Sequence, residues 1–314
     1  EKRRPDRMNI LFRTDSSSEI GTGHVMRDLV LANKYPRDTV TFAVRDLAGN
    51  INSTIDDAGY EKINLESNTV SELDRVIKSL HIDMLIIDHY AIDFLFETDL
   101  KKRNPGLIIF VIDDTYEKHY CDILLNHNIS ADAAKYKGLV PSGCELRCGS
   151  QYTLLREEFI SAKRQMNKHK KDKHPITVFI AMGGADHSNI NIDILQVLRK
   201  FHHIKAIVVT TSANKNLPAL KRYCEKKSWV KLYINSNTLA SLMVASDFAI
   251  VTPSVTVNEV YYLGLPMIVI QTADNQSDMY AYLTRHHYCT LQAFDKLSLE
   301  KNISEMLQNI KTVS

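Results

Sequence analysis

Residues 9–35, NILFRTDSSSEIGTGHVMRDLVLANKY, decide the fold. Their first five residues, Asn9–Arg13, form a short apolar run typical of a buried parallel strand. Their last part, Val25–Tyr35, has apolar residues at helical spacing and predicts a helix. The small and polar residues 14–24 between them predict a tight turn. A strand that leads directly into a helix begins the βαβ unit from which parallel sheets are built.

The same alternation of short β-branched runs and helical segments continues along the chain. The predicted strands are Asn9–Arg13, Thr39–Val44, Met84–Asp88, Leu107–Asp113 and Asp122–Leu125 in the first half, and Thr177–Met182, Ala206–Thr210, Lys231–Ile234, Phe248–Val251 and Met267–Ile270 in the second. This pattern predicts two doubly wound, Rossmann-like α/β domains, residues 8–162 and 175–300, facing a central cleft. The basic stretch 163–174 ends in a proline and is typical of a solvated linker.

The composition narrows the class of protein. The chain has 314 residues, with 39 basic against 37 acidic side chains, so its charge gives no reason to expect a nucleic acid partner. No apolar run approaches the ~20 residues that span a membrane, and the charged segment 1–7 does not resemble a secretory signal. Five cysteines without zinc-ligand spacing favour reduced thiols, a cytoplasmic protein, and neither a metal nor a cofactor.

The turn after the first strand carries the strongest chemical signal. Gly21 and Gly23 allow close approach of a ligand to the backbone, and His24 follows at the start of a helix, where an anion is favoured. The third glycine of a dinucleotide-binding fingerprint is replaced by Met26, and the lysine of a Walker loop is absent. The alternative is a plain strand-to-helix turn with an incidental histidine.

Polar residues also follow two other strands of the first half. Asp88, His89 and Tyr90 offer an acid, an imidazole and a phenol for bonds to a sugar or for proton transfer. The alternative is a capping aspartate with Tyr90 packed on the core. Asp113 and Asp114 form a possible metal-binding pair, but helix capping is favoured because no further acidic cluster accompanies them.

The second half repeats this arrangement of polar turns. Gly183 and Gly184 end its first strand in a turn suited to a phosphate. Glu259, near the start of a later helix, either complements the helix dipole or accepts two ribose hydroxyls. The next strand ends in the polar run Gln271–Gln276 on the same edge.

These residues resemble known enzymes. The Gly-Gly turn, the pattern Ser-x-Thr-x-x-Glu at 254–259 and Gly-Leu-Pro at 264–266 resemble the UDP-binding domain of GT-B enzymes of the MurG type. In the first half, the motifs at 13–18, 20–24, 27–32, 87–90, 121–126 and 155–159 resemble the UDP-2,4-diacetamido-2,4,6-trideoxy-β-L-altropyranose hydrolases of pseudaminic acid synthesis. The resemblance runs from about Met8 to beyond Asn275, and the residues before Met8 are the main departure.

The resemblance implies a GT-B-like fold and a step that removes UDP before condensation with phosphoenolpyruvate. By this resemblance His24 matches the catalytic histidine, Tyr90 an active-site tyrosine, and Asn275 a substrate-binding asparagine. The full set of expected substrate contacts is Asp15, Gly21, Gly23, Gly183, Gly184, Thr256, Asn258, Glu259, Asn275 and Gln276.

The chemistry expected from these residues is hydrolysis without a metal. UDP is a good leaving group, so the main need is a base that deprotonates a water opposite the departing diphosphate, and His24 suits that role. Inversion at the anomeric carbon follows. Three alternatives stay open at this point: a GT-B glycosyltransferase, a sugar-nucleotide 2-epimerase, and a non-catalytic UDP-sugar-binding protein. The sequence leaves the oligomeric state open.

Overall fold

The computed structural model describes residues 7–166 and 175–313, and the chain separates into two compact units, Glu1–Leu155 and Arg156–Ser314. The strands are β1 (Asn9–Thr14), β2 (Thr39–Arg45), β3 (Glu61–Leu65), β4 (Met84–Asp88), β5 (Ile108–Ile112), β6 (Ile123–Asn126), β7 (Glu145–Cys148), β8 (Ile176–Ala181), β9 (Ile204–Thr210), β10 (Val230–Ile234), β11 (Phe248–Val251), β12 (Met267–Ile270) and β13 (Cys289–Leu291). All the pairings between them are parallel.

Helices connect most of these strands. They are α1 (Gly23–Ala32), α2 (Ser53–Asp57), α3 (Val70–Ser79), α4 (Phe94–Arg103), α5 (Glu157–Met166), α6 (Asn191–Leu198), α7 (Leu217–Glu225), α8 (Leu239–Val244), α9 (Val255–Leu263), α10 (Ser277–Arg285) and α11 (Lys296–Val313). Short 3-10 helices occur at Ala133–Tyr136, Ser150–Tyr152 and Asp274–Gln276.

Each unit contains one doubly wound sheet, as the sequence predicts. The first sheet has the order β3-β2-β1-β4-β5-β6-β7, and the second has the order β10-β9-β8-β11-β12-β13. The strand order reverses between β1 and β4 in the first sheet and between β8 and β11 in the second. Ligands of such sheets bind beyond the carboxyl ends of the strands at this reversal, so each unit has one such edge where candidate site residues are expected.

The central strands are buried on both faces. In β1, Ile10 and Phe12 belong to one apolar cluster and Leu11 to another on the opposite face of the sheet. This double burial explains why these strands are continuously apolar. The sequence did not predict β3, β7 and β13, which lie at sheet edges and carry partly exposed residues.

Several boundaries differ from the predicted ones by a few residues, and three of these differences bear on the candidate site. Helix α1 begins at Gly23 rather than Val25, because the Met26 amide already donates to the Thr22 carbonyl, so His24 lies in its first turn. Residues 156–162, predicted in the first domain, belong to the second unit. The predicted linker 163–174 starts inside α5, which extends to Met166, and residues 167–174 lie outside the described residues.

Candidate active site

The turn that precedes α1 holds its shape through its own hydrogen bonds. Ser17 and Gly21 bond to each other through both amides, at 3.3 and 2.8 Å, and the Ser17 hydroxyl accepts from the Ile20 amide at 2.9 Å. Gly21 has a φ of 85°, a conformation that favours glycine. A Cβ added at Gly21 or Gly23 would meet no atom within 4 Å, so the backbone here is open to a ligand.

His24 is held between an acid and a phenol. Its Nδ1 lies 3.8 Å from a carboxylate oxygen of Asp88, and its ring meets the ring of Tyr90 edge-on with centroids 4.7 Å apart. Burial lowers the pKa of the imidazole, opposed by Asp88 and reinforced by Arg27. His24 is therefore neutral at pH 7, which is the form that accepts a proton.

Arg27 joins the two groups that flank His24. Its guanidinium donates twice to Asp88, with both N–O distances 2.6 Å, and once to Asp114 at 3.0 Å. The hydroxyl of Tyr90 donates to the other oxygen of Asp114, also at 3.0 Å. One chain of charge-assisted bonds thus runs from Asp88 through Arg27 and Asp114 to Tyr90, and such two-pronged arginine contacts define geometry closely.

The charges in this hydrogen-bonded series set the protonation states of Asp88 and Tyr90. Burial by itself raises the pKa of Asp88, but Arg27 outweighs burial and the net pKa is lowered, so Asp88 is ionised. Tyr90 is 64% exposed, yet burial of its hydroxyl end, together with Asp114, raises its pKa. Tyr90 therefore remains a neutral phenol over the physiological range.

The helix capping favoured for Asp113 and Asp114, and the alternative in which Tyr90 packs on the core, do not match the structure. Asp113 and Asp114 do not cap a helix: the chain continues as a turn in which Asp113 accepts from the amides of Thr115 and Tyr116. Tyr90 is exposed rather than packed on the core. The physical reason is that Asp114 accepts hydrogen bonds from Arg27 and from the Tyr90 hydroxyl instead of from its own backbone.

Asp15 lies behind the site rather than on its surface. It is fully buried, and its oxygens accept from Arg13, from the amide and guanidinium of Arg45, and from Nε2 of His89 at 2.9 Å. Burial raises its pKa, but His89 and Arg13 outweigh burial and the net pKa is lowered. Because His89 directly precedes Tyr90, this geometry favours a positioning role for Asp15 over the predicted contact with substrate.

Two further buried groups near Arg27 had no assigned role in the sequence. His127 follows β6, and burial, reinforced by Arg27, lowers its pKa to about 4, so it is neutral. Asp28, one residue after Arg27, is completely buried, and burial together with Asp88 raises its pKa well above its usual range. His127 reaches this edge only because the fold places the end of β6 there. The position of Asp28, four residues after His24 on α1, was a usable signal in the sequence.

In the second unit, the Gly-Gly turn after β8 is anchored by hydroxyls. The Gly184 carbonyl accepts from the Thr210 and Thr211 hydroxyls at 3.1 and 2.8 Å. Gly183 has a φ of 89°, and a Cβ added there would meet no atom within 4 Å. Asp186 closes the turn from inside the protein, accepting from Asn191 at 2.6 Å. The outer side of this turn is open backbone.

Glu259 lies in α9, which begins beyond β11. Its carboxylate is 3.2 Å from the guanidinium of Arg156, and burial raises its pKa to about 7 although Arg156 opposes the shift. Two other predicted contacts share this helix: Thr256 is partly exposed and Asn258 is buried. Glu259 is thus a carboxylate with low solvation that gains from new hydrogen-bond donors such as ribose hydroxyls.

Asn275 and Gln276 follow β12 in the 3-10 helix Asp274–Gln276. The side-chain oxygen of Gln276 accepts from the Thr252 hydroxyl and the Thr272 amide, both at 2.8 Å, and so ties together the loops after β11 and β12. Asn275 is exposed on the same edge. The structure therefore brings His24 and Tyr90 together in the first unit, and places the predicted contacts of the second unit after three neighbouring strands.

Within residues 7–166 and 175–313, no group of three His, Cys, Asp or Glu side chains is arranged to hold a metal ion. No helix in this described part of the chain has both the length and the apolar character needed to cross a membrane.

Comparison with curated proteins gives relatives over most of the chain. It is 38% identical over 281 residues to the UDP-2,4-diacetamido-2,4,6-trideoxy-beta-L-altropyranose hydrolase of Campylobacter jejuni, a match that covers 90% of this chain and 98% of that protein. It is 24% identical over 276 residues to the spore coat polysaccharide biosynthesis protein SpsG of Bacillus subtilis, covering 86% of this chain and 79% of that protein. No protein-family model matches.

Solved structures show the same fold at low identity. MurG of Acinetobacter baumannii superposes with a TM-score of 0.64 at 11% identity, covering 97% of this chain and 92% of that one. The UDP-GlcNAc 2-epimerase of Neisseria meningitidis superposes with a TM-score of 0.60 at 13% identity, covering 96% of this chain and 92% of that one. The two parallel α/β units thus form a GT-B fold, as predicted.

Proposed function

The chain belongs to the family of UDP-2,4-diacetamido-2,4,6-trideoxy-β-L-altropyranose hydrolases and is a UDP-sugar hydrolase, and we propose that it releases UDP from that sugar nucleotide by attack of water at the anomeric carbon. The observation that supports this proposal most directly is His24: a neutral imidazole between Asp88 and Tyr90, at the end of a glycine turn that is open to a ligand.

His24 acts as the general base. Its Nδ1 side faces Asp88, which leaves Nε2 to accept the proton of a water. The water oxygen forms a bond to the anomeric carbon as the bond from that carbon to the diphosphate oxygen breaks, and its proton passes to His24. The electron pair of the broken bond leaves on UDP, and the free sugar is released with inverted configuration. Asp88 stabilises the imidazolium that forms, which is the usual role of an acid beside a catalytic histidine.

Tyr90 orients the reacting groups. Because its hydroxyl donates to Asp114, its oxygen lone pairs remain able to accept from a water or a sugar hydroxyl. The second unit binds the nucleotide through the open backbone at Gly183 and through Thr256, Asn275 and the Glu259 carboxylate. Backbone N–H groups at these turns stabilise the charge of the departing diphosphate.

The test is to incubate the protein with the UDP-diacetamido sugar in ¹⁸O-enriched water and to follow the products by NMR and mass spectrometry. We expect UDP release without an added acceptor, with ¹⁸O in the sugar. Label in UDP would show attack at phosphorus and refute the mechanism. A requirement for an acceptor would identify a glycosyltransferase, and reversible formation of a C2 epimer would identify an epimerase.

A further inference from the structure

A cavity of about 470 Å³ lies beside Tyr90 in the first unit, between the loop after β4 and the loop after β5. Its lining includes the apolar side chains of Ile87, Ile92 and Val111, all of which are buried. The partly buried ring of Phe94 and the exposed side chain of Lys118 also line it. The mechanism above uses Tyr90 but leaves the rest of this cavity without a role.

We propose that this cavity binds an acetamido group of the sugar, the one on the carbon next to the anomeric carbon. This inference rests on the proposed function. An acetamido group combines a methyl with a planar amide, which has one hydrogen-bond acceptor and one donor. The cavity has an apolar floor that suits the methyl and charged groups at its rim that suit the amide.

The rim can satisfy both polar atoms of the amide. The Lys118 ammonium lies over the Phe94 ring, 4.2 Å from its centroid, and an ammonium held in this way keeps N–H groups for a carbonyl oxygen. The carboxylates of Asp93 and Glu117, exposed on the same lining, can accept the amide N–H. A buried amide needs such partners, because leaving it unpaired costs much of the binding energy.

The floor is better suited to a methyl than to a hydroxyl. Most of its polar neighbours are already engaged with other protein groups: His89 bonds to Asp15, and Asp113 accepts from Thr115 and from Tyr136 at 2.6 Å. His119, the other buried polar side chain of the lining, pairs through Nδ1 with Glu97 at 2.7 Å, and its Nε2 lies 3.6 Å from Asp113. Burial of a methyl against apolar side chains is favourable, whereas a hydroxyl placed there would lose its bonds to water.

The location also fits the reaction. Tyr90 is a wall of the cavity and its ring contacts His24, with centroids 4.7 Å apart. In the proposed binding mode, a sugar whose anomeric carbon is near His24 directs the substituent of the next carbon towards Tyr90 and the cavity mouth.

The test uses two cavity variants, Lys118→Met and Phe94→Ala, each with a matched control. Lys135→Met removes another lysine that lies over an aromatic ring, 4.7 Å from the Tyr116 centroid, and Leu95→Ala shortens a neighbouring side chain that is 72% exposed. Loss of a hydrogen bond from a charged group predicts a fall in kcat/KM of about tenfold or more for Lys118→Met. Loss of methyl contact predicts roughly fourfold for Phe94→Ala. The controls should match the parent protein.

A second measurement reports contact without turnover. Saturation-transfer NMR on the intact UDP-diacetamido sugar, bound to protein carrying His24→Ala, should show strong transfer to one acetyl methyl, and Phe94→Ala should reduce it relative to the uracil protons. Unchanged kcat/KM in Lys118→Met, or unchanged methyl transfer in Phe94→Ala, would overturn the proposal even if UDP is released normally. Should the parent protein release no UDP, the proposed function fails, and the NMR measurement on that protein still decides where the acetamido group binds.

Discussion

The edge of the first sheet and the matching edge of the second differ in how they are held together. In the first unit, buried charges pair with one another, as in the chain Asp88–Arg27–Asp114–Tyr90. In the second, glycines, hydroxyls and an amide hold most of the loops, as where Gln276 joins Thr252 to Thr272, and the Glu259–Arg156 ion pair is also present. Paired charges hold a base in one orientation and set its pKa, whereas neutral donors and open backbone suit an anion that must bind and leave. The difference suggests that chemistry belongs to the first edge and nucleotide binding to the second.

The largest expected effect comes from substituting His24, which should affect catalysis but not nucleotide binding. In His24→Ala, kcat/KM for UDP release should fall by ~10²–10⁴, because general-base catalysis contributes about that much. The affinity for UDP, measured by calorimetry, should stay the same. His286→Ala, which removes an exposed histidine stacked on Tyr282, is the control and should have full activity. If the His24→Ala protein released UDP at the parent rate, the catalytic role proposed for the first edge would be wrong.

A smaller effect tests whether Arg27 helps to set the pKa, and therefore the protonation state, of His24. Arg27→Met should lower kcat/KM by roughly 10²-fold, because Asp88 and Asp114 lose the group that positions them. Arg27 also lowers the pKa of His24, so removing its charge should raise that pKa. The neutral base is then lost at a higher pH, and the acid limb of the pH–rate profile should move upward.

Arg27→Lys is the matched variant, because it keeps the positive charge but loses the two-pronged contact. Its acid limb should stay near that of the parent protein while the rate falls. If the limb in Arg27→Met does not move relative to Arg27→Lys, the electrostatic role of Arg27 is wrong and its role is only to position Asp88.

At the second edge, Glu259→Gln should weaken UDP binding about tenfold at pH 8, where the parent carboxylate is ionised and accepts hydrogen bonds. The pKa of Glu259 is raised to about 7, so affinity of the parent protein should fall as the pH drops through 7, and Glu259→Gln should lose this dependence. Glu158→Gln, at the other acid that pairs with Arg156, is the control. A pH dependence that persists in Glu259→Gln must come from another group.

The smallest effect concerns the open backbone of the second edge. Gly183→Ala forces a side chain into a φ of 89° and should lower the free energy of unfolding by about 1–2 kcal/mol. For a unit of this size, that corresponds to a fall of roughly 2–8 °C in Tm by calorimetry. Gly106→Ala, where a Cβ would meet no atom within 4 Å and φ is not positive, should change Tm little. Equal shifts in both variants would contradict the strain argument.

Sequence reasoning located the central strands because they are buried on both faces and therefore continuously apolar. It missed β3, β7 and β13, since an edge strand such as Glu61–Leu65 mixes exposed and buried residues without a clear period. It singled out His24 and Tyr90, which the fold brings into ring contact, and their catalytic roles remain predictions. Asp15 was expected among the substrate contacts, and the structure shows a buried side chain that pairs with Arg45 inside the protein.

By itself, the sequence determined the two parallel sheets, the glycine turn that ends in His24, and the family, because these depend on local pattern and on ordered motifs. Only the tertiary structure decided that His24 is neutral and that Arg27 joins Asp88 to Asp114. Those partners lie 61 and 87 residues from Arg27 in the chain. A pKa depends on burial and on the charges that folding brings near, and neither is visible in the order of the residues.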